Sequence, residues 1–220
     1  MIYALGIDIQ TPLGDLTSTL QALRAQRSAL GTPLTELRGR KLVQPVMGAL
    51  LQEEPIIDGY TLFESLCIRS ARRAIDDSGI DATNKRCVFI LSSTKGDIWT
   101  PNTETARHIA RFFDNTQSPI VVSLACTSGV SAQITAWRLL ECGLYDTAVV
   151  IGCDVLTDFV AAGFQCVHAT SMQPCRPFDK DREGLNLGEA VGCLILHHFP
   201  ASHNSKFIIH NSHTWQLLSG

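Results

Sequence analysis

The chain has 220 residues, 45% hydrophobic and 18% charged, with a formal net charge of −3. That length can bury a substantial core, and the mild acidity gives no basic footprint for nucleic acid or an anionic membrane. The longest apolar run, Ala148 to Leu156, is interrupted by Asp154 and falls short of a membrane span, while "MIYALGIDIQ" meets Asp8 too early for a signal peptide.

The first strand candidate is "IYALGIDI", followed by the turn "QTPLG". Residues from about Leu16 to Ala29 have helical spacing, with Leu16, Leu20 and Leu23 on one side. Arg38 to Pro55 carries charges and then "VMGALLQ", with no clear period. The best-defined helix runs from Thr61 to Ser78. Thr61 and Glu64 form a capping box, Leu62, Leu66 and Ile75 mark the apolar side, and Gly79 ends it. "RCVFILSST" reads as a buried strand, Thr103 to Phe113 as a helix, "SPIVVSLA" as a strand, and Gly129 to Glu141 as a helix stopped by Gly143. "DTAVVIGCD" is another buried strand. "VGCLILHHF" and "KFIIHNSHTW" look like the arms of a strand pair, joined by the plain loop 199–206. Continuous Val/Ile-rich strands alternating with helices predict an α/β domain with a sheet covered on both faces, in one domain without a linker.

Eight cysteines, with no Cys-x-x-Cys pair, read as free thiols of a reducing, cytoplasmic compartment, most of them buried. The seven histidines are scattered, and no metal site is expected. One cysteine stands apart. In "VSLACTSGVSAQ", Cys126 falls where a strand meets a helix beginning near Ser128. The helix N–H groups there favour thiolate over thiol and can stabilise an oxyanion, while Thr127, Ser128 and Gly129 let a substrate approach closely. A buried core cysteine remains the alternative on these local grounds.

The wider sequence resembles the β-ketoacyl synthases, condensing enzymes of the thiolase superfamily. The resemblance runs through "VSLACTSGVSAQITAWRLLECGLYDTAVVIGCDVLTDFVAAGF" and "SMQPCRPFDKDREGLNLGEAVGCLIL", with "TPLGD" and "STKGD" also fitting. It covers about 100 residues well and the N-terminal part more loosely. It implies a thiolase-like fold, a single N-terminal βαβαβαββ half with a mixed sheet, over residues 1–220. The segment 199–220 would form a terminal loop and strand, and the family's C-terminal half would be absent. Cys126 becomes the residue that takes an acyl group as a thioester, without a cofactor. Phe164 and Phe178 become pocket wall or core. Asp179 and Arg182 become a pair fixing the loop "RPFDKDREG", and Glu189 a structural residue. The family's Gly-Glu-Gly-Ala is here Gly188-Glu189-Ala190-Val191, whose added side chains are expected to crowd the loop.

The resemblance also implies two histidines for condensation in Gly/Thr-rich contexts, and this sequence offers none. His168 comes too early, and His210 and His213 lack the neighbouring glycines. Two functions follow. The first is a ketosynthase-like subunit that pairs with a complete ketosynthase chain, or with itself, through the strand 118–125, completing an acyl pocket and setting chain length. The second is a catalytic β-ketoacyl synthase, either as a fragment of a complete one or with histidines that come from another chain. Both imply acyl carrier protein thioesters as partners. A stand-alone cysteine acyltransferase or thioesterase with His168 or His210 as base has no support from their placement.

Overall fold

A computed structural model describes residues 1–199 and the backbone of 215–217. In chain order the elements are β1 (Ile2–Thr11), β2 (Gly14–Asp15), α1 (Leu16–Arg24), β3 (Leu34–Leu37), β4 (Arg40–Val46), β5 (Gly48–Ala49), α2 (Leu62–Ser78), β6 (Cys87–Ser92), α3 (Asn102–Phe112) and β7 (Ile120–Val122). A short 3-10 turn (Ala125–Thr127) then leads into α4 (Ser128–Glu141), β8 (Thr147–Asp154), α5 (Asp158–Cys166), β9 (Leu187–Gly188), β10 (Ala190–His198) and β11 (Trp215–Leu217). The chain forms two compact units. One comprises residues 1–9, 55–154 and 191–220, the other 10–54 and 155–190.

The first unit carries the body of a mixed sheet of order β11-β1-β10-β8-β6-β7. β6 pairs parallel with both β7 and β8, and β1 pairs antiparallel with β11. All six residues of β6 are buried, so the strand has no solvated face. Its side chains alternate between two layers. Val88 and Ile90, with Ala148 and Val150 of β8, pack on Ala132, Ala136 and Leu140 of α4. On the other face Phe89 stacks on Phe113 at the end of α3, with ring centroids 5.5 Å apart, and Cys153 of β8 meets Cys67 of α2. The predicted βαβαβαββ succession is realised as β1-α2-β6-α3-β7-α4-β8-β10. Helix α2 has the expected ends: Thr61 Oγ1 accepts the Glu64 N–H (3.2 Å), Glu64 Oε2 accepts the Thr61 N–H (3.0 Å), and Gly79 closes it at φ +66°.

The second unit is smaller and less regular. β3 and β4 form a hairpin around Arg38 and Gly39, both left-handed (φ +47° and +80°), and β5 pairs parallel with β9. Its core is Leu37, Val46, Leu156, Val160, Ala161 and Leu187.

Several expectations change. α1 ends at Arg24, and Thr19 and Ala22 are its buried residues, while Leu20 and Leu23 are exposed. The Thr19 hydroxyl, hydrogen-bonded to Thr11 Oγ1 (2.7 Å) and Gly14 O (3.2 Å), turns that face inward instead. The strand expected over 118–125 is only Ile120–Val122, because the backbone turns at Ala125 (φ +49°). α5 had no predicted counterpart, since Gly163 breaks its pattern, yet Thr157 caps it by accepting the Val160 N–H (3.2 Å). β10 lies between β1 and β8, and β11 pairs with β1. Residues 200–214, with the expected loop 199–206 beyond Phe199 and most of "KFIIHNSHTW", lie outside the described residues. Ala190 is exposed and Val191 is buried in β10, so neither crowds a loop in its own unit. Among the described residues no helix is long and apolar enough to cross a membrane.

Candidate functional site

The carboxyl ends of the parallel strands β8, β6 and β7 are where the first unit gathers its chemistry. The order of connection reverses at β6, and crevices outside such strand ends are the usual ligand sites of α/β sheets. Ser92 ends β6, Asp154 ends β8, and the turn bearing Cys126 follows β7.

That turn is held by hydroxyl groups. Ser128, buried at 4% exposure, accepts the Leu124 N–H (2.8 Å) and donates to Ala125 O (2.7 Å). Thr127 Oγ1 donates to Leu124 O (2.7 Å), and the Thr127 N–H reaches the same carbonyl (3.1 Å). Ala125 is left-handed, a region that alanine rarely enters. Cys126 is thereby displayed on the surface at the head of α4. Gly129 is exposed, and a Cβ there would meet nothing closer than Ser92 Oγ at 4.0 Å. The approach to the turn is therefore open. Leu124, Val130 and Ile134 give it an apolar, exposed rim.

The other thiols differ. All eight cysteines are free. Cys67, Cys87, Cys153 and Cys193 are buried, as expected for "RCVFI", "VIGCDVL" and "VGCLIL". Burial pushes the Cys87 thiol up to about 12 and raises Cys67 and Cys193 as well, which keeps them protonated and inert. Cys142, Cys166 and Cys175 are exposed, against the expectation that most thiols are buried. Cys142 sits at the other end of α4, where its Sγ donates to Leu139 O (3.4 Å). Of these thiols, Cys126 is the one at a helix head on a strand–turn–helix.

A polar cluster flanks the same strand ends. Lys95 Nζ and Ser93 Oγ each lie 3.4 Å from Asp154 Oδ1, and Ser93 Oγ accepts the Gly96 N–H (2.9 Å). Each residue follows a buried strand in sequence, but nothing local announces that they meet.

Phe164, Phe178, Asp179, Arg182 and Glu189 belong to the second unit. Phe164 packs against its core. Phe178 is fully exposed (102%) and left-handed (φ +64°), so it is not core within its unit. Asp179 and Arg182 do not pair through the carboxylate as expected. The Asp179 carboxylate faces Arg176 Nη1 (3.5 Å) and accepts the Asp181 N–H (2.8 Å), while Arg182 Nη1 donates to Asp179 O (3.1 Å). The loop is fixed, but by Arg176 and by side chain-to-backbone bonds instead of an Asp179–Arg182 ion pair. Glu189 is structural: buried, it accepts from Leu51 N–H (3.0 Å), Leu156 N–H (2.9 Å) and Arg38. Arg38 also donates to Leu156 O (2.9 Å), a partnership sequence reasoning did not foresee. Among the described residues no group of three His, Cys, Asp or Glu side chains is placed to hold a metal.

Residues 98–199 match the family profile of the beta-ketoacyl synthase N-terminal domain. The 3-oxoacyl-[acyl-carrier-protein] synthase 2 of Coxiella burnetii is 25% identical over 87% of this chain and 56% of its own. Nodulation protein E of Rhizobium meliloti is 27% identical over 83% of this chain and 54% of its own. The chain thus spans about half the length of these relatives. Among solved structures, a beta-ketoacyl synthase from Burkholderia phymatum superposes with a TM-score of 0.75 at 20% identity, over 90% of this chain and 59% of that one. A ketosynthase in complex with its chain length factor from Xenorhabdus doucetiae gives 0.73 at 22% identity, over 90% and 58%. In sequence across residues 98–199, and in a thiolase-like fold across 90% of its length, the chain is similar to the N-terminal half of the β-ketoacyl synthases.

Proposed function

We propose that the chain is a ketosynthase-like subunit of fatty-acid, polyketide or aryl-polyene biosynthesis, working as one N-terminal-like domain over residues 1–220. It pairs with a complete β-ketoacyl synthase, completes its acyl pocket and sets chain length. The observation that carries this reading is the match of residues 98–199 to the beta-ketoacyl synthase N-terminal domain, with a strand–turn–helix at Cys126 of that family's type. Solved pairs of ketosynthase and chain length factor among its structural neighbours support it. So does β7, an edge strand of the sheet whose free side can extend into a partner's, or a second copy's, strand through residues 118–125. The proposed setting is the cytoplasm, where free cysteines stay reduced.

The exposed thiol of Cys126 favours a second, catalytic reading. Its sulfur attacks the carbonyl of an acyl carrier protein thioester, a new thioester forms, the carrier thiolate leaves, and the thiol proton passes to that leaving group. Decarboxylative condensation with a malonyl unit would then use histidines from outside these 220 residues.

Intact-mass measurement separates the readings. The chain is incubated with acyl carrier protein thioesters, alone and with a complete ketosynthase. A stable heterodimer whose turnover and product length survive Cys126→Ala establishes the helper role. Turnover lost with Cys126→Ala, together with an acyl adduct on Cys126, establishes the catalytic one. Neither a heterodimer nor an adduct would overturn both.

A further inference from the structure

We infer that Ser128 is the positioning residue of the nucleophile turn, the side chain that holds Cys126 at the head of α4. The inference deepens the functional reading and rests on Cys126 as the acyl acceptor. Sequence reasoning placed Ser128 with the substrate pocket, but its hydroxyl is otherwise engaged. The single proton is donated to Ala125 O (2.7 Å), and a lone pair accepts the Leu124 N–H (2.8 Å). The side chain is buried at 4% exposure and has no proton left to offer a substrate.

The two groups it ties bracket the Leu124–Ala125 peptide, and Ala125 is the residue held left-handed at φ +49°. A Cβ in that region collides with the local backbone, so alanine stays there only when its surroundings over-determine it. Ser128 supplies that constraint from inside the turn. Thr127, donating to Leu124 O from the exposed side, supports it from outside. Release of Ala125 would swing Cys126, the next residue, away from the first turn of α4. A displaced sulfur is then no longer presented at the head of α4, where the structure exposes it to an incoming reagent.

The test is site-resolved alkylation of the full chain by iodoacetamide across pH, read by peptide mass, with Cys142 at the far end of α4 as internal reference. Ser128→Ala is expected to slow Cys126 about 3-fold near neutral pH, a size set by the loss of an exposed helix-end interaction. Cys142 should not change. Ala125→Gly added to Ser128→Ala should recover most of the rate, because glycine takes the left-handed region without a Cβ penalty. A Cys126 profile in Ser128→Ala that overlays the parent, or a double variant as slow as the single, overturns the inference. If Ser128→Ala fails to fold, buried Cys67 and Cys193 will alkylate too. Hydrogen exchange in the unaltered chain then decides. The Leu124 amide should be protected, and exchange as fast as that of a free amide overturns the inference. Alkylation needs no acyl thioester, so failure of carrier thioesters to load Cys126 would sink the functional reading and leave this result intact.

Discussion

The two units of the chain are stabilised by different means. In the first, continuous apolar strands do the work. β6 is buried along its whole length, Thr147 to Ile151 of β8 are buried too, and the helices on either face add alanines and aromatics. Its helix ends are held locally, as in the Thr61–Glu64 cap or the Ser128 staple, between residues three or four apart, while longer-range ties such as Ser93–Asp154 and Arg86–Asp146 sit at strand ends beside a large apolar core. The second unit has a six-residue apolar core and short strands, and a buried carboxylate gathers its parts. Glu189 takes hydrogen bonds from the hairpin tip (Arg38), from the segment after β5 (Leu51) and from the segment before α5 (Leu156). A small core leaves a larger share of the stability to such a hub, because each buried partner left unpaired costs more than the bond itself contributes.

Removing that hub is the strongest way to break the contrast. Glu189→Ala leaves one buried N–H group (Leu156), one partly buried N–H group (Leu51) and a partly buried guanidinium without their acceptor. The expected loss is about 3 kcal/mol, the low end for a broken buried pair because Arg38 is partly solvated. Hydrogen exchange by mass spectrometry should show residues 34–54 and 156–189 losing protection while 87–92 and 147–154 keep theirs. Uniform loss across both regions would show that the units do not differ in this way.

What was legible follows the same division. The α2 boundaries, the β6 and β8 runs and the start of α4 are written in contiguous residues, and each was read within a residue or two. Cys126 was legible because a strand, a small turn and a helix are adjacent in sequence. The second unit was not. Arg38 and Glu189 lie 151 residues apart, and no local pattern records that they meet. The family resemblance named Phe178, Asp179 and Arg182 but not their contacts. Those depend on a left-handed backbone at Phe178 and on Arg176 taking the Asp179 carboxylate. Ser128 was named with the substrate pocket, and its sequence position tells nothing of the bonds its hydroxyl makes to Leu124 and Ala125.

A local tie in the first unit should matter less. Thr61→Ala removes the hydroxyl that accepts the Glu64 N–H at the head of α2, at an expected cost of about 1 kcal/mol. Chemical denaturation would record it as a lower midpoint with an unchanged slope. A cost equal to that of Glu189→Ala would erase the distinction between local and long-range ties.

The smallest effect comes from the opposite end of the sheet, in acid. His197 on β10 is half-buried, with Nδ1 2.8 Å from Thr147 Oγ1. Burial holds its imidazole below the usual histidine value, the neighbouring His198 adds to this, and Asp146 opposes it. Folded His197 therefore binds fewer protons than unfolded His197 near its titration. Its contribution to stability is full above the unfolded pKa, about 6.5, and is lost as the pH falls through the lower folded value. Asp146 itself is held below the carboxylate range by Arg86, which donates to it at 2.6 and 2.8 Å. Its own contribution is kept until far more acid conditions and does not mask the histidine. His197→Gln, which can keep a hydrogen bond to Thr147, should flatten the decline in stability between about pH 7 and pH 5 while leaving the plateau above pH 7 near that of the parent chain. The difference should be smaller than the cost of Thr61→Ala. Parallel pH–stability curves for the two proteins would show that the imidazole keeps an ordinary affinity for its proton in the folded chain.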